Sequence, residues 1–147
     1  MNDVITFANE NSVTWLATCE DGIPHVRGMW MWFADETGFY FHTASIKSLA
    51  HQLEQCNAVE ACFHWSNGQL GGSRMLRVNG KVEFVRDEKL EHRLFEERPW
   101  LLENRSRMPE GTEVRIFKIA SGVCMFWDMS VNGRESEAER IVFPATC

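Results

Sequence analysis

The sequence predicts a mainly β (α+β) fold, an antiparallel barrel with two or three peripheral helices. Period-two hydrophobic segments dominate the chain, and several are joined by short Gly- and Asp-containing turns that suit antiparallel neighbours. Helical periodicity appears only in inserted stretches, without the regular β-α-β alternation of a parallel sheet. Closing such a sheet into a barrel removes its exposed edges.

Taken in order, Val4, Phe7 and Ala8 fall at helical spacing behind Asn2 and Asp3, so residues 1–11 read as a short amphipathic helix or an extended lead-in. In residues 12–19, Val13, Trp15 and Ala17 alternate with Thr14, Leu16 and Thr18, and Glu20-Asp21-Gly22 supplies hairpin chemistry. A second strand is expected over residues 24–33, a turn at Asp35-Glu36-Thr37-Gly38, and a third strand over 39–43, which together form a meander. Ile46, Leu49, Ala50 and Leu53 then lie on one helical stripe within residues 45–55.

Residues 59–65 and 74–86 are the next strands, the second with Asn79-Gly80 as a bulge or bend. Residues 87–100 form a helix capped by Asp87 and ended by Pro99. Residues 101–111 read as irregular, 112–120 and 123–128 as two strands around Ser121-Gly122, and 140–143 as a last short strand. No repeat or linker interrupts the 147 residues, so residues 1–147 are expected to form one domain.

The net charge of −6 argues against a nucleic-acid partner but leaves room for a local anion site. The five cysteines, Cys19, Cys56, Cys62, Cys124 and Cys147, are odd in number and lack Cys-x-x-Cys spacing, so reduced thiols are expected, with terminal Cys147 the one that could react. The start of the chain has no leader pattern, and no apolar run is long enough to span a membrane, so the expected location is cytoplasmic. His25, His42, His51, His64 and His92 show no metal-ligand spacing, and no Walker loop, Gly-x-Ser-x-Gly or Gly-x-Gly-x-x-Gly is present.

The most informative stretch runs from Phe39 to Lys47, where a strand leads through His42, Thr43 and Ser45 into a helix. Free N–H groups and hydroxyls at a helix start favour an anion, and a lysine in the first turn opposes the helix dipole unless an anion neutralises it. The competing reading is an ordinary capped helix with a solvated lysine. Arg27, in a strand otherwise built of Val26, Met29, Trp30, Met31 and Trp32, suits bidentate phosphate contact or snorkels from an edge. The six tryptophans offer flat walls for a planar ring system, or simply core.

Taken in sequence order, Pro24-His25-Val26-Arg27, Phe41-His42-Thr43, Ser45-Ile46-Lys47, Ala61-Cys62-Phe63-His64-Trp65, Leu76 to Glu83 and Phe126-Trp127 resemble the pyridoxamine 5'-phosphate oxidase-like family of FMN-binding split β-barrels. The resemblance implies a homodimer with FMN at its interface. It implies a flavin site made by Arg27, Gly28, Met29, Trp30, His42, Thr43, Ser45 and Lys47, with Arg27, Ser45 and Lys47 on the phosphate.

Three departures from the family pattern bear on substrate. Trp32 stands where the oxidases carry a lysine, Met75 where they carry a glutamine, and Arg134-Glu135-Ser136 offers no Arg-x-His substrate pair. An FMN-dependent oxidoreductase acting on an unknown small molecule is therefore expected, rather than a vitamin B6 oxidase. The alternatives are a non-catalytic flavin or electron-carrier module, or a split barrel for haem or a deazaflavin. No catalytic residue is assigned; His42 and His64 are proton-transfer candidates by chemistry alone.

Overall fold

The computed structural model describes residues 1–144, so the expectation for Cys147 lies outside the described residues. Its strands are β1 (Val13–Glu20), β2 (Ile23–Trp30), β3 (Phe33–Asp35), β4 (Gly38–Ala44), β5 (Ala58–Ser66), β6 (Ser73–Val85), β7 (Val114–Asp128) and β8 (Ile141–Phe143). All pair antiparallel in one sheet, in the order β2-β1-β5-β6-β7-β4-β3, with β8 added to β7. The hairpin expected at Asp21-Gly22 is present: both residues have positive φ (51° and 79°), and Glu20 pairs with Ile23. This backbone twist matches that of the flanking strands.

The expected three-strand meander is corrected. Residues 24–33 do not form one strand; they divide after Trp30 into β2 and β3, which occupy opposite ends of the sheet order. The backbone N–H of Met31 donates to the Ser12 carbonyl (2.9 Å), and that of Trp32 donates to the Tyr40 carbonyl (2.8 Å). Two residues thus join the two sheet ends, with Met31 wholly buried. The sequence hides this break because Met29 to Ala34 is a continuous apolar run, in which alternation cannot mark a change of partner.

The second correction concerns Ser121-Gly122, which is not a turn. β7 runs unbroken from Val114 to Asp128, and Gly122 pairs directly with Gly80 of β6. A Cβ on Gly80 would sit 2.3 Å from the Ser121 carbonyl oxygen, and one on Gly122 would sit 2.0 Å from that of Asn79. The glycines therefore permit a close strand crossing. The register irregularity lies just beyond it, between Lys81 and Val82.

There are four α-helices among the described residues, one more than the upper expectation: α1 (Asn2–Glu10), α2 (Ser48–Gln55), α3 (Glu88–Glu97) and α4 (Trp100–Ser106). Asp87 caps α3 as expected, accepting from the N–H groups of Lys89 and Leu90 at 2.8 and 3.2 Å. Pro99 ends α3, but its φ of −61° and ψ of −25° also start α4 in a region expected to be irregular. Helix α2 begins at Ser48, so Lys47 is its N-cap rather than a first-turn residue.

The barrel interior is packed by side chains including Leu16, Met31, Phe39, Phe41, Phe63, Leu76 and Phe117. Each contributes on the order of 1.5–3 kcal/mol by burial. A second cluster, Tyr40, Leu94, Leu101 and Ile116, seats α3 and α4 on the outer side of β4 and β7. Alternation along β4 therefore serves two layers, with Phe39 and Phe41 in the barrel core and Tyr40 in the second cluster.

Candidate functional site: a cationic cavity beside the barrel

A cavity of about 610 Å³ opens between the ends of β2 and β4 and the α3–α4 segment. Its walls include Gly28, Met29, Trp30, His42, Thr43 and Lys47, six of the eight residues expected at the site. The other wall comes from fifty or more positions later in the chain: Glu97, Arg98, Trp100, Leu101, Asn104, Arg105, Met108 and Val114. None of these was legible as a site residue. Arg98-Pro99-Trp100 reads as a helix stop, and only the docking of α3 and α4 brings it to the cavity.

Arg27 and Ser45, the remaining two expected residues, stand off the cavity wall. The Arg27 guanidinium donates to Thr18 Oγ1 (2.7 Å), Gln52 Oε1 (2.6 Å) and the Leu16 carbonyl (3.3 Å). It thereby ties β2 to β1 and to α2. Ser45 is bonded twice to Glu113: its N–H donates to the Glu113 carbonyl (2.8 Å), and its Oγ accepts from the Glu113 N–H (3.0 Å). Both residues fix the segment that carries Thr43 and Lys47.

Thr43 is buried, and its Oγ1 has no hydrogen-bond partner among the described residues. An orphaned buried hydroxyl costs about 1–3 kcal/mol, a cost that a bound acceptor would offset. Lys47 is exposed and in no ion pair with a described residue. The wall holds three cations, Lys47, Arg98 and Arg105, against one acid, Glu97, on a chain of net charge −6. Glu97 is itself engaged, accepting from Arg93 and from the Trp32 indole N–H, each at 2.7 Å. The donor set suits an anion.

His42 packs edge-on to Trp100, with ring centroids 5.9 Å apart. Its Nε2 lies 2.7 Å from Arg98 Nη1. A guanidinium only donates, so Nε2 accepts and the proton of the neutral ring is on Nδ1. Burial first, then the charges of Arg98 and Lys47, push the His42 pKa down to about 4. The unfolded chain binds this proton near pH 6.5, so the native state is favoured above that pH and loses stability as pH falls from about 6.5 towards 4. The expected loss is on the order of 2–3 kcal/mol. It is read as a falling urea midpoint that His42→Gln, which can still accept from Arg98, flattens over that window.

His64 lies on an exposed stretch of β5 and does not line this cavity. Trp32 is also outside it: Arg93 stacks over Trp32 and Phe33 (5.1 and 4.5 Å to the ring centroids), locking α3 to β3. A larger depression of about 940 Å³ adjoins the cavity at Arg105, Met108 and Val114. Its central Arg115 is already paired with Glu54 and Glu113, so it offers less unmatched charge. Among the described residues no cluster of His, Cys, Asp and Glu is arranged to hold a metal, and no helix is long and apolar enough to cross a membrane.

Fold and cavity together define a split β-barrel with a cation-lined cleft at the end of β4. The profile of the family described as pyridoxamine 5'-phosphate oxidase matches residues 3–121, and the chain belongs to that family. It is 35% identical over 80 residues to a pyridoxine/pyridoxamine 5'-phosphate oxidase of Brucella canis. That match takes in 54% of this chain and 37% of the enzyme, so the chain corresponds to little more than a third of the curated relative's length.

Among solved structures, a NimC/NimA family protein from Clostridium acetobutylicum superposes with a TM-score of 0.71 at 21% identity, covering 97% of this chain and 92% of that one. A FAD-binding protein from Mesorhizobium loti gives 0.58 at 17% identity, covering 80% and 86%. These likenesses establish the fold.

Proposed function

We propose that the chain is an FMN-binding flavoprotein, an oxidoreductase of the family acting on a small substrate, with the flavin in the 610 Å³ cavity. The observation that carries this reading is that the wall of one cavity includes both Thr43, with an unpartnered buried hydroxyl, and Lys47, with an ammonium unpaired among the described residues. They are the residues to which the family resemblance assigns the cofactor. Thr43 and Lys47 hold the phosphate, with Arg27 and Ser45 bracing their segment from behind. Gly28, Met29, Trp30 and His42 border the ring system. The bound flavin supplies electron transfer, and the protein supplies placement and electrostatics.

The proposal includes a homodimer. Val13, Trp15, Val26 and Trp30 lie on one face of β1 and β2 and are each more than half exposed. An apolar patch of this kind on an edge pair is what an interface covers. Trp30 belongs to both patch and cavity, so a second copy seated there would complete the site wall. A cytoplasmic setting agrees with four thiols that are free among the described residues, including Cys124, whose burial raises its pKa to about 12.

The deciding experiment is an absorbance spectrum of the purified protein with mass identification of the released ligand, run alongside analytical ultracentrifugation. Flavin bands with FMN released from a species of twice the chain mass is the expected result. A Soret band, a deazaflavin mass or no ligand uptake on FMN titration overturns the flavin assignment, and a monomer overturns the dimer. Haem ligation by His42 would require breaking its bond to Arg98, because Nε2 is already engaged.

A further inference from the structure

Gln52, on α2, is the one buried polar side chain among the described residues that is not a threonine, at 3% exposure. Burying a carboxamide is costly unless its two ends are bonded. Here both are. Oε1 accepts from Arg27 Nη2 (2.6 Å) and from Thr18 Oγ1 (2.7 Å), and Nε2 donates to Glu20 Oε2 (3.3 Å). A guanidinium only donates, which fixes the carboxamide oxygen towards Arg27. Arg27 Nη1 closes the triangle by donating to Thr18 Oγ1 (2.7 Å). One side chain on α2 is thus tied to both β1 and β2.

The two ends of the phosphate clamp stand on different elements. Thr43 is carried by β4, whose ladder with β7 fixes it. Lys47 is the N-cap of α2, and its carbonyl accepts from the Ala50 N–H (3.0 Å), so its backbone follows the helix. Leu49 and Leu53 seat α2 in the barrel core, but apolar contact is non-directional and does not by itself set the helix's rotation. Gln52 supplies the directional contact, about 7.5 Å along the helix axis from Lys47. The Ser45–Glu113 bonds hold the near end of this segment, and the Gln52 triangle holds the far end. No carboxylate among the described residues lies within ion-pair distance of Arg27, so Gln52, Thr18 and the Leu16 carbonyl are what engage its half-buried charge.

We propose that Gln52 is a positioning residue for the cofactor phosphate: the Gln52–Thr18–Arg27 triangle sets the pose of α2, and with it the placement of the Lys47 ammonium relative to the Thr43 hydroxyl. Arg27 then serves the phosphate at one remove, through Gln52 and α2. The proposal rests on the flavin reading and adds to it the residue that makes the site prefer a phosphorylated flavin.

The test is a fluorescence titration with FMN and with riboflavin, combined with a double-mutant cycle against Lys47→Ala. Gln52→Met keeps the length of the side chain and removes both bonding ends. It is expected to weaken FMN binding by about fivefold or more and to change riboflavin binding less than about twofold. In the Lys47→Ala background the same substitution should change FMN binding less than about twofold, because the group it positions is gone. Thr18→Val cuts the triangle from β1, should shift the FMN-to-riboflavin ratio in the same direction, and decides the matter if Gln52→Met fails to fold.

Equal losses for FMN and riboflavin overturn the proposal, since a residue that only supports the fold would act on both. So does an undiminished FMN loss when Gln52→Met is added to Lys47→Ala. A gain in FMN affinity overturns it too, by showing that a released Arg27 reaches the phosphate itself. An unchanged ratio with FMN still bound overturns the proposal and leaves the flavin reading standing, whereas no FMN uptake by the wild-type protein overturns both.

Discussion

Lys47→Ala is expected to weaken FMN binding by roughly 10–100-fold and to leave riboflavin binding nearly unchanged. The magnitude is that of a lost hydrogen bond to a charged group, about 1.5–3 kcal/mol. Riboflavin lacks the phosphate, so the comparison isolates the phosphate end. Lys47 suits this role because it caps α2 in an extended conformation (φ −81°, ψ 145°) with no side-chain capping bond, and no described carboxylate engages it. Parallel losses for FMN and riboflavin in a fluorescence titration would mean that the lysine acts through the fold rather than the phosphate. Unchanged FMN affinity would remove it from the site. Thr43→Val carries the same signature with a smaller loss, because the hydroxyl is neutral and its removal also relieves an unpartnered buried group.

The largest expected effect on stability is at the β6–β7 crossing. Gly80→Ala should lower unfolding free energy by roughly 3 kcal/mol or more, because the new methyl meets backbone on the partner strand, which cannot move aside as a side chain can. The contacts would be 2.3 Å to the Ser121 carbonyl oxygen and 2.6 Å to Ile119 Cγ2. Gly111→Ala is the contrast in free space: nothing lies within 4 Å of its Cβ position, and only its φ of +83° disfavours alanine. Urea denaturation of the two variants measures the difference. A Gly80→Ala midpoint equal to or above that of Gly111→Ala would show that the strands separate at little cost.

Much of this fold could be read from residues, and the gaps have physical causes. The Asp21-Gly22 hairpin, the Asp87 cap and Leu49, Ala50 and Leu53 of the expected stripe are local signals that tertiary structure had no reason to override, whereas Ile46, also placed on that stripe, precedes α2 and is exposed. The division at Met31 was hidden because a doubly buried run has no polar face to mark where it changes neighbours. Ser121-Gly122 has turn chemistry, but its glycine meets the need for a close strand approach rather than a reversal.

The same logic governs the cavity. Its first wall lies within residues 28–47, and most of it was found from anion chemistry and family resemblance. Its second wall is amphipathic helix in sequence terms, where Arg98 and Arg105 look like solvated surface charges. Only the seating of Leu94 and Leu101 against Tyr40 and Ile116 turns them inward.

The two-residue splice at Met31-Trp32 gives the barrel a seam. Elsewhere around the wall, neighbouring strands are held by ladders, as long as twelve residue pairs between β6 and β7. Between β2 and β3 the wall is held by covalent chain and by one hydrogen bond to each side. The seam borders the cavity at Gly28 to Trp30. Arg98 donates to the Met31 carbonyl across it (3.0 Å), so the α3–α4 wall fastens the seam from the cavity side.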